Sequence, residues 1–434
     1  MLLDFKVSNF KSFVETADFS MTAAPKQKGL DYSLTEFRQG RRKVKALCSS
    51  VVYGPNAAGK SNIISAMDVM RSIVLRGNIH NPDDQNTPDH AVTSLELIPN
   101  NTLENAEPVT FDIAFYTQGM KFDYAISIDL GRFLEEDFDR KILSEMLLIN
   151  GKLVYTRAES TIQFEDIPAL KKYILKDIPS GNIAEQSLDN KELFLTNGFK
   201  LLYSPTLVKM ITDWFRNEFI VIYRDDMVQL RHRFSTSQKN SIYVEKTLDD
   251  AAKMFGVSSN ALGYVIGEND GDAVLCSLFN DIHKAVPADT FESYGTIRFV
   301  NMFPVIIKAM KTGATLVVDE FDASLHPMAL ISIINIFHND DINVNHAQLI
   351  FNSQNPVFLN SNYFRRDEIK FVERDDDTHR SVLYSLADFG TSGVNGVRKK
   401  EDYMNNYFIS RYGAIRDIDF TPVFEEILKP DRED

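Results

Sequence analysis

Eight consecutive residues, Gly54-Pro55-Asn56-Ala57-Ala58-Gly59-Lys60-Ser61, fit the pattern G-x-x-x-x-G-K-[ST] at every fixed position. Residue types at that spacing bind the phosphates of a nucleoside triphosphate. Backbone N–H groups of the loop and the positive end of a following helix surround the anion, Lys60 reaches the β and γ oxygens, and the Ser61 hydroxyl ligates Mg²⁺. The flanks suit this reading. Val51-Val52-Tyr53 reads as a buried strand entering the loop, and after Lys60 the apolar residues Ile63, Ile64, Met67, Met70 and Val74 recur near helical period.

Triphosphate chemistry also needs a carboxylate for the metal's water shell and a group that orients the attacking water. Ala314-Thr315-Leu316-Val317-Val318-Asp319-Glu320 places two acids at the end of an apolar run that reads as a strand covered on both faces. Asp319 is assigned to the Mg²⁺ shell and Glu320 to the water. Two acids after an apolar strand are ordinarily a solvated strand end; the phosphate loop is what makes them a site. Pro327 suits the first turn of a following helix, with Leu330, Ile331, Ile334 and Phe337 as its apolar stripe.

The string from Asp319 through Phe321, Asp322, Ala323, Ser324, Leu325 and His326 to Pro327 resembles the Walker B motif and D-loop of ABC-type ATPases, in the branch that includes RecF, RecN and SMC heads. The opening Val7-Ser8-Asn9-Phe10-Lys11-Ser12-Phe13 is similar to that branch's first strand. Within it the sequence is most similar to compact bacterial ABC ATPases of anti-phage defence modules, the RloA-like and abortive-infection group, whose late motif resembles Tyr407-Phe408-Ile409-Ser410-Arg411-Tyr412-Gly413-Ala414. The resemblance implies an α/β fold: an ABC-type P-loop ATPase head with an antiparallel β lobe and a helical insertion. It implies ATP and Mg²⁺ as cofactors, a homodimer or higher homo-oligomer with Asp322 at its D-loop, and a separate effector protein as partner. It further implies a signature loop that touches the γ-phosphate held by the other subunit. Glu292-Ser293-Tyr294-Gly295-Thr296-Ile297-Arg298 is the candidate, with Ser293 and Gly295 as phosphate donors, although it departs from Leu-Ser-Gly-Gly; a plain helix N-cap at Ser293 is the lesser alternative. Where this branch has a switch histidine, Asn352-Ser353-Gln354-Asn355 stands here. Gln354 either donates to the γ-phosphate or merely caps the loop; unlike histidine it cannot change charge near neutral pH, so turnover is expected to be slow.

The elements that must position these residues are widely spaced along 434 residues, enough for two or three domains. Three segments are expected: 1–166 with the phosphate loop and antiparallel lobe, 167–290 as a helical insertion forming a compact lid, and 291–434 with the signature, Asp319 and Gln354. Two hairpins mark the lobe, around Thr117-Gln118-Gly119 and Asn150-Gly151. The insertion carries Leu170, Tyr173, Ile174, Leu207, Ile211 and Trp214 at one-sided spacing and lacks the sustained heptads of a long coiled-coil arm. No glutamine can be chosen for a Q-loop, since Gln85 and Gln118 both fall in expected turns.

Composition limits the partners. The net charge of −14 argues against a surface basic all over. Two local patches, Arg38-Arg41-Arg42-Lys43-Lys45 and Arg224-Arg231-His232-Arg233, read first as solvated faces and second as nucleic-acid contacts. Cys48 and Cys276 lack metal spacing and read as reduced core residues. Without a long apolar run or a signal peptide, the chain is expected in the cytoplasm with no membrane contact. The strand pair around Arg374-Asp375-Asp376-Asp377 reads as a hairpin with an acidic turn, not a nuclease metal site. The favoured function is an ATP-driven sensor or regulator of a separate effector; the alternative is a RecF-like repair ATPase that binds DNA in an ATP-dependent way.

Overall fold

The computed structural model describes residues 1–25, 27, 29–39, 42–80, 95–135, 138–175, 181–186, 188–223, 242–243, 246–254, 261–266, 273–279, 284–323, 325–391, 396–398 and 401–428. Its centre is a six-stranded sheet of β1 (Ser49–Tyr53), β2 (Phe219–Ile222), β3 (Thr315–Val318), β4 (Gln348–Asn352), β5 (Ile369–Arg374) and β6 (Ser381–Ser385). The spatial order is β2-β3-β4-β1-β5-β6, parallel throughout except for β6. Helix α1 (Lys60–Arg76) follows β1, α2 (Tyr294–Thr312) precedes β3, and α3 (Pro327–Phe337) follows it. The chain is therefore a mixed α/β protein, as the motif order predicts.

Strand periodicity divides the apolar residues between two cores. Val52, Val317, Ile350 and Val372 face a core shared with α1, whereas Val51, Tyr53, Leu316, Val318, Leu349 and Phe351 face one shared with α2 and α3. With both faces covered, the strands read as continuous apolar runs. Against the α1 side lies a seven-stranded antiparallel sheet that includes Leu2–Ser8, Ala17–Ser20 and a meander from Val109 to Phe164. Both expected hairpins are present. Their turns use left-handed backbone at Gln118-Gly119 (φ 49° and 80°) and Asn150-Gly151 (φ 51° and 75°), the conformation that tight two-residue turns demand.

Residues 167–290 correct the expectation of a helical lid. Helix does occupy Pro205–Asp213, where Leu207, Val208 and Ile211 are buried, but Phe219–Ile222 joins the central sheet as β2. Beyond it, Ile242–Tyr243, Ala261–Ile266, Ala273–Phe279 and Lys284–Pro287 form a four-stranded antiparallel sheet. Short apolar runs of six or seven residues fit either structure by periodicity alone; their β-branched and aromatic content decided for strand.

Asp375 accepts from the backbone N–H groups of Asp377 and Thr378, so the acidic run is a hairpin turn, and no metal-competent acidic cluster occurs among the described residues. Lys43 and Lys45 lie on an exposed hairpin where both pair with Glu36, at 3.3 and 2.9 Å. Arg41, Arg224, Arg231, His232, Arg233, Gln85 and Ser324 lie outside the described residues. Cys48 and Cys276 are buried thiols, and burial pushes Cys48 up to about 12. Among the described residues, no helix is long and apolar enough to cross a membrane.

Gln348 ties the two sheets together. Its Oε1 accepts from Leu2 N (2.7 Å) and Thr315 Oγ1 (2.8 Å), and its Nε2 donates to the carbonyls of Leu2 (3.1 Å) and Leu47 (2.9 Å). We predict that Gln348→Ala, by removing four hydrogen bonds at this buried junction, lowers unfolding stability by about 2–4 kcal/mol. Denaturant titration would show it, and a loss under about 0.5 kcal/mol would mean the junction is not structural.

Candidate functional site

The register of the central sheet brings three chain ends level. Val318 pairs with Phe351, and Asn352 with Val52, so Asp319, Asn352 and the loop after Tyr53 emerge side by side at the carboxyl edge, where open α/β sheets place their ligands. Gly54 passes so close to β5 that a Cβ there would lie 2.2 Å from the Val372 carbonyl oxygen. Gly59 has φ 107°, and a Cβ on it would meet the hydroxyls of Ser12 and Ser381 at 2.6 and 2.9 Å. Glycine at these two positions is a consequence of packing and backbone sign. Ala57 also turns left-handed (φ 62°), Pro55 and Asn56 complete the outer bend, and Ala58 is buried with its carbonyl held by Ser381 Oγ at 2.6 Å.

Lys60 begins α1 and folds back under the loop, its Nζ donating to the carbonyls of Gly54 (2.7 Å) and Pro55 (2.9 Å). Burial holds its pKa below the ordinary lysine value, opposed by the charges of Glu320, Asp319 and Asp322. Ser61 Oγ donates to Asp319 Oδ1 at 2.9 Å. A hydroxyl and a carboxylate in contact are the hard oxygen pair that Mg²⁺ takes, and a buried ammonium beneath an anion-sized loop fits a polyphosphate, so the residues suit both groups.

Glu320 is exposed and left-handed (φ 49°), an uncommon conformation for a non-glycine residue. Two side chains fix it. Its N–H donates to Asn352 Oδ1, and its carbonyl accepts from Arg298 Nη2; Arg298 Nη1 also reaches the Ala323 carbonyl at 2.8 Å. Asn352, fully buried, donates through Nδ2 to Asp319 Oδ1, and Ser353 Oγ donates to Asp322 Oδ2 at 2.7 Å. Lys60, Glu320, Asp322, Ala323, Asn352, Ser353 and Gln354 line one cavity of about 210 Å³.

The structure thus gathers Lys60, Ser61, Asp319, Glu320, Asp322 and Gln354. Ser293 and Gly295 are not part of that cavity: Ser293 is exposed as the N-cap of α2, accepting from Thr296 N at 3.2 Å, and Gly295 is buried in the first turn. Asn352, Ser353 and Arg298 stand inside the strings that motif reading quoted, but no role was assigned to them there. Asn352 had a signal, a polar residue directly after an apolar strand beside the phosphate loop; Arg298 had none, because its partners are backbone carbonyls.

The family model described as "AAA domain, putative AbiEii toxin, Type IV TA system" matches residues 49–360, which run from the first residue of β1 past Gln354. The chain belongs to this family. No curated protein matches the chain. Among solved structures, the SMC head domain from Thermotoga maritima is similar at 12% identity and a TM-score of 0.37, over 88% of this chain and 98% of that one. Within this AAA family, the chain carries a P-loop, an acidic strand end and a bridging asparagine as one connected unit.

Asn352→Ala should therefore separate binding from metal use. We expect nucleotide affinity within about threefold of the parent but Mg²⁺-dependent turnover lower by about 10–100-fold, the usual cost of losing an outer partner of a metal ligand. Lys60→Ala should do the reverse, weakening binding by about 1.5–3 kcal/mol. Titration of a fluorescent ATP analogue with and without Mg²⁺ distinguishes them, and identical profiles would refute the division of labour.

Proposed function

We propose that the protein binds and hydrolyses ATP with Mg²⁺, and that nucleotide closes two copies head to tail to control a separate effector in anti-phage defence. The observation that carries the nucleotide part is the Ser61–Asp319–Asn352 connection between the phosphate loop and the acidic strand end. The defence role rests on family membership and on the sequence resemblance to abortive-infection ATPases.

In this reading the loop N–H groups and Lys60 hold the phosphates, releasing the ammonium from the Gly54 and Pro55 carbonyls. Ser61 and Asp319 supply the oxygen ligands, directly or through water, for Mg²⁺, which when bound neutralises charge on the β and γ oxygens. Glu320 orients the attacking water and takes its proton. Its exposed position suits a group that becomes enclosed only when a second copy arrives. Gln354 donates a neutral hydrogen bond to the terminal phosphate, so turnover is slow without a partner. The exposure of Ser293 and Tyr294 at the head of α2 supports a contact made across the dimer.

Glu320→Gln keeps the shape of the site while removing its base, and should trap an ATP–Mg²⁺-dependent dimer by light scattering. A monomer with bound ATP would refute closure. Coexpression with neighbouring genes should retain an effector on that dimer, whereas copurifying DNA alone would favour a repair role. Ser293→Arg should leave ATP binding within twofold yet abolish this assembly; normal dimerisation would remove Ser293 from the interface.

A further inference from the structure

One peptide of the phosphate loop is held by a residue far outside it. Ser381 is the first residue of β6, and its hydroxyl donates to the Ala58 carbonyl at 2.6 Å. The carbonyl and the N–H of a trans peptide point in opposite directions, so this bond turns the Gly59 N–H away from Ser381. The Ala58 N–H is already taken by the Pro55 carbonyl at 3.3 Å, whereas the Gly59 N–H has no acceptor among the described residues. Gly59 is also the N-cap of α1. Its free donor therefore adds to those of the first helical turn, which have no partner within the helix and favour an anion.

Glycine makes this orientation a matter of surroundings. Turning a peptide over changes ψ of the residue before it and φ of the residue after it, and a residue without Cβ accepts nearly any φ. At Gly59, where φ is 107°, the local backbone does not forbid the reversed peptide. Ala58 and Ser381 are both buried, so no water stands ready to replace the serine as donor to the carbonyl. Ser381 is itself fixed from two sides. It pairs with Arg374 across the β5–β6 hairpin, and its N–H donates to the Ser12 carbonyl at 2.8 Å. Ser12 Oγ in turn accepts from Asn62 Nδ2 on the first turn of α1 at 2.7 Å. The opening segment, the hairpin and α1 thus brace the loop together, and both serines lie outside the residues 49–360 that the family model matches.

We propose that Ser381 is a positioning residue for the phosphate site: its hydroxyl holds the Ala58–Gly59 peptide with the Gly59 N–H facing the phosphates before nucleotide arrives. This rests on the nucleotide-binding reading given above and adds to it a residue that no motif contains. Loop N–H groups cradle the α and β phosphates, which stay together in the product. The Gly59 contact is then made alike to bound substrate and transition state, and losing such a contact raises KM without lowering kcat.

Ser381→Ala in the full-length protein tests this by steady-state ATP hydrolysis with Mg²⁺ and by titration with ADP. The KM for ATP and the Kd for ADP should both rise about tenfold, the scale of one buried acceptor left unpaired, with kcat within about twofold of the parent. A merely structural serine would reduce the folded fraction, lowering kcat at an unchanged KM; that outcome, or unchanged KM and Kd, would overturn the proposal. Should the variant fail to fold, the parent decides: in ¹⁵N-glycine-labelled protein, ADP should shift the Gly59 amide resonance and slow its hydrogen exchange. An amide indifferent to bound ADP would overturn the role of Ser381 alone. A parent that binds neither ATP nor ADP would refute the nucleotide reading itself, and this role with it.

Discussion

The site depends on one constraint, the level register of β1, β3 and β4. Asp319 can meet Ser61 and Asn352 only because Val318, Phe351 and the end of β1 stop at the same height. What fixes that height is not the site but the two cores. Val317 and Ile350 belong to one core and their neighbours Leu316, Val318, Leu349 and Phe351 to the other, so a slip of one residue would put each side chain on the wrong face. The apolar periodicity of the strands thereby determines the geometry of polar groups at their ends.

The same economy holds for the strained residue. Glu320 occupies a left-handed conformation that costs on the order of 1–3 kcal/mol in residues of its kind. Asn352 offsets this from below through the Glu320 N–H, and Arg298 from the side through its carbonyl. Arg298 sits little more than one turn from Ser293, at the exposed head of α2. The base that the proposed mechanism needs and the surface that the proposed dimer uses are therefore joined by one guanidinium. A shift of α2 on closure would act directly on the backbone of Glu320, without any chain of intermediates.

How much of this could be read from the sequence follows from the range of each interaction. The phosphate loop and the Asp319-Glu320 pair were legible because each is a contiguous string whose flanking periodicity names the elements that hold it. The two hairpins of the lobe were legible because Gln118-Gly119 and Asn150-Gly151 specify a backbone sign. The sheet within 242–287 was not, because six-residue apolar runs such as Ala261–Ile266 satisfy strand and helix patterns alike. Nor was Arg298, whose function depends on carbonyls more than twenty residues away and leaves no pattern of side-chain types. Ser293 marks the boundary between the two cases: the sequence offered an N-cap or a phosphate donor, and in the single chain it is seen as the cap.

On the proposed reading, Gln354 standing where related ATPases are expected to carry a switch histidine limits what could drive a conformational change at this site. The cavity is lined by one lysine, two carboxylates and neutral groups, with no histidine among its described residues. Burial lowers the Lys60 pKa, and the charges of Glu320, Asp319 and Asp322 oppose that shift. On the proposed reading, Glu320 takes a proton from the attacking water, and the large change of charge during a cycle is that of the nucleotide itself. Closure would follow the arrival of a polyphosphate, which pulls Lys60 off the Gly54 and Pro55 carbonyls, and opening would follow the departure of the cleaved phosphate. A neutral amide at position 354 suits such a switch, because it can report the presence of the terminal phosphate by a hydrogen bond without contributing a titration of its own.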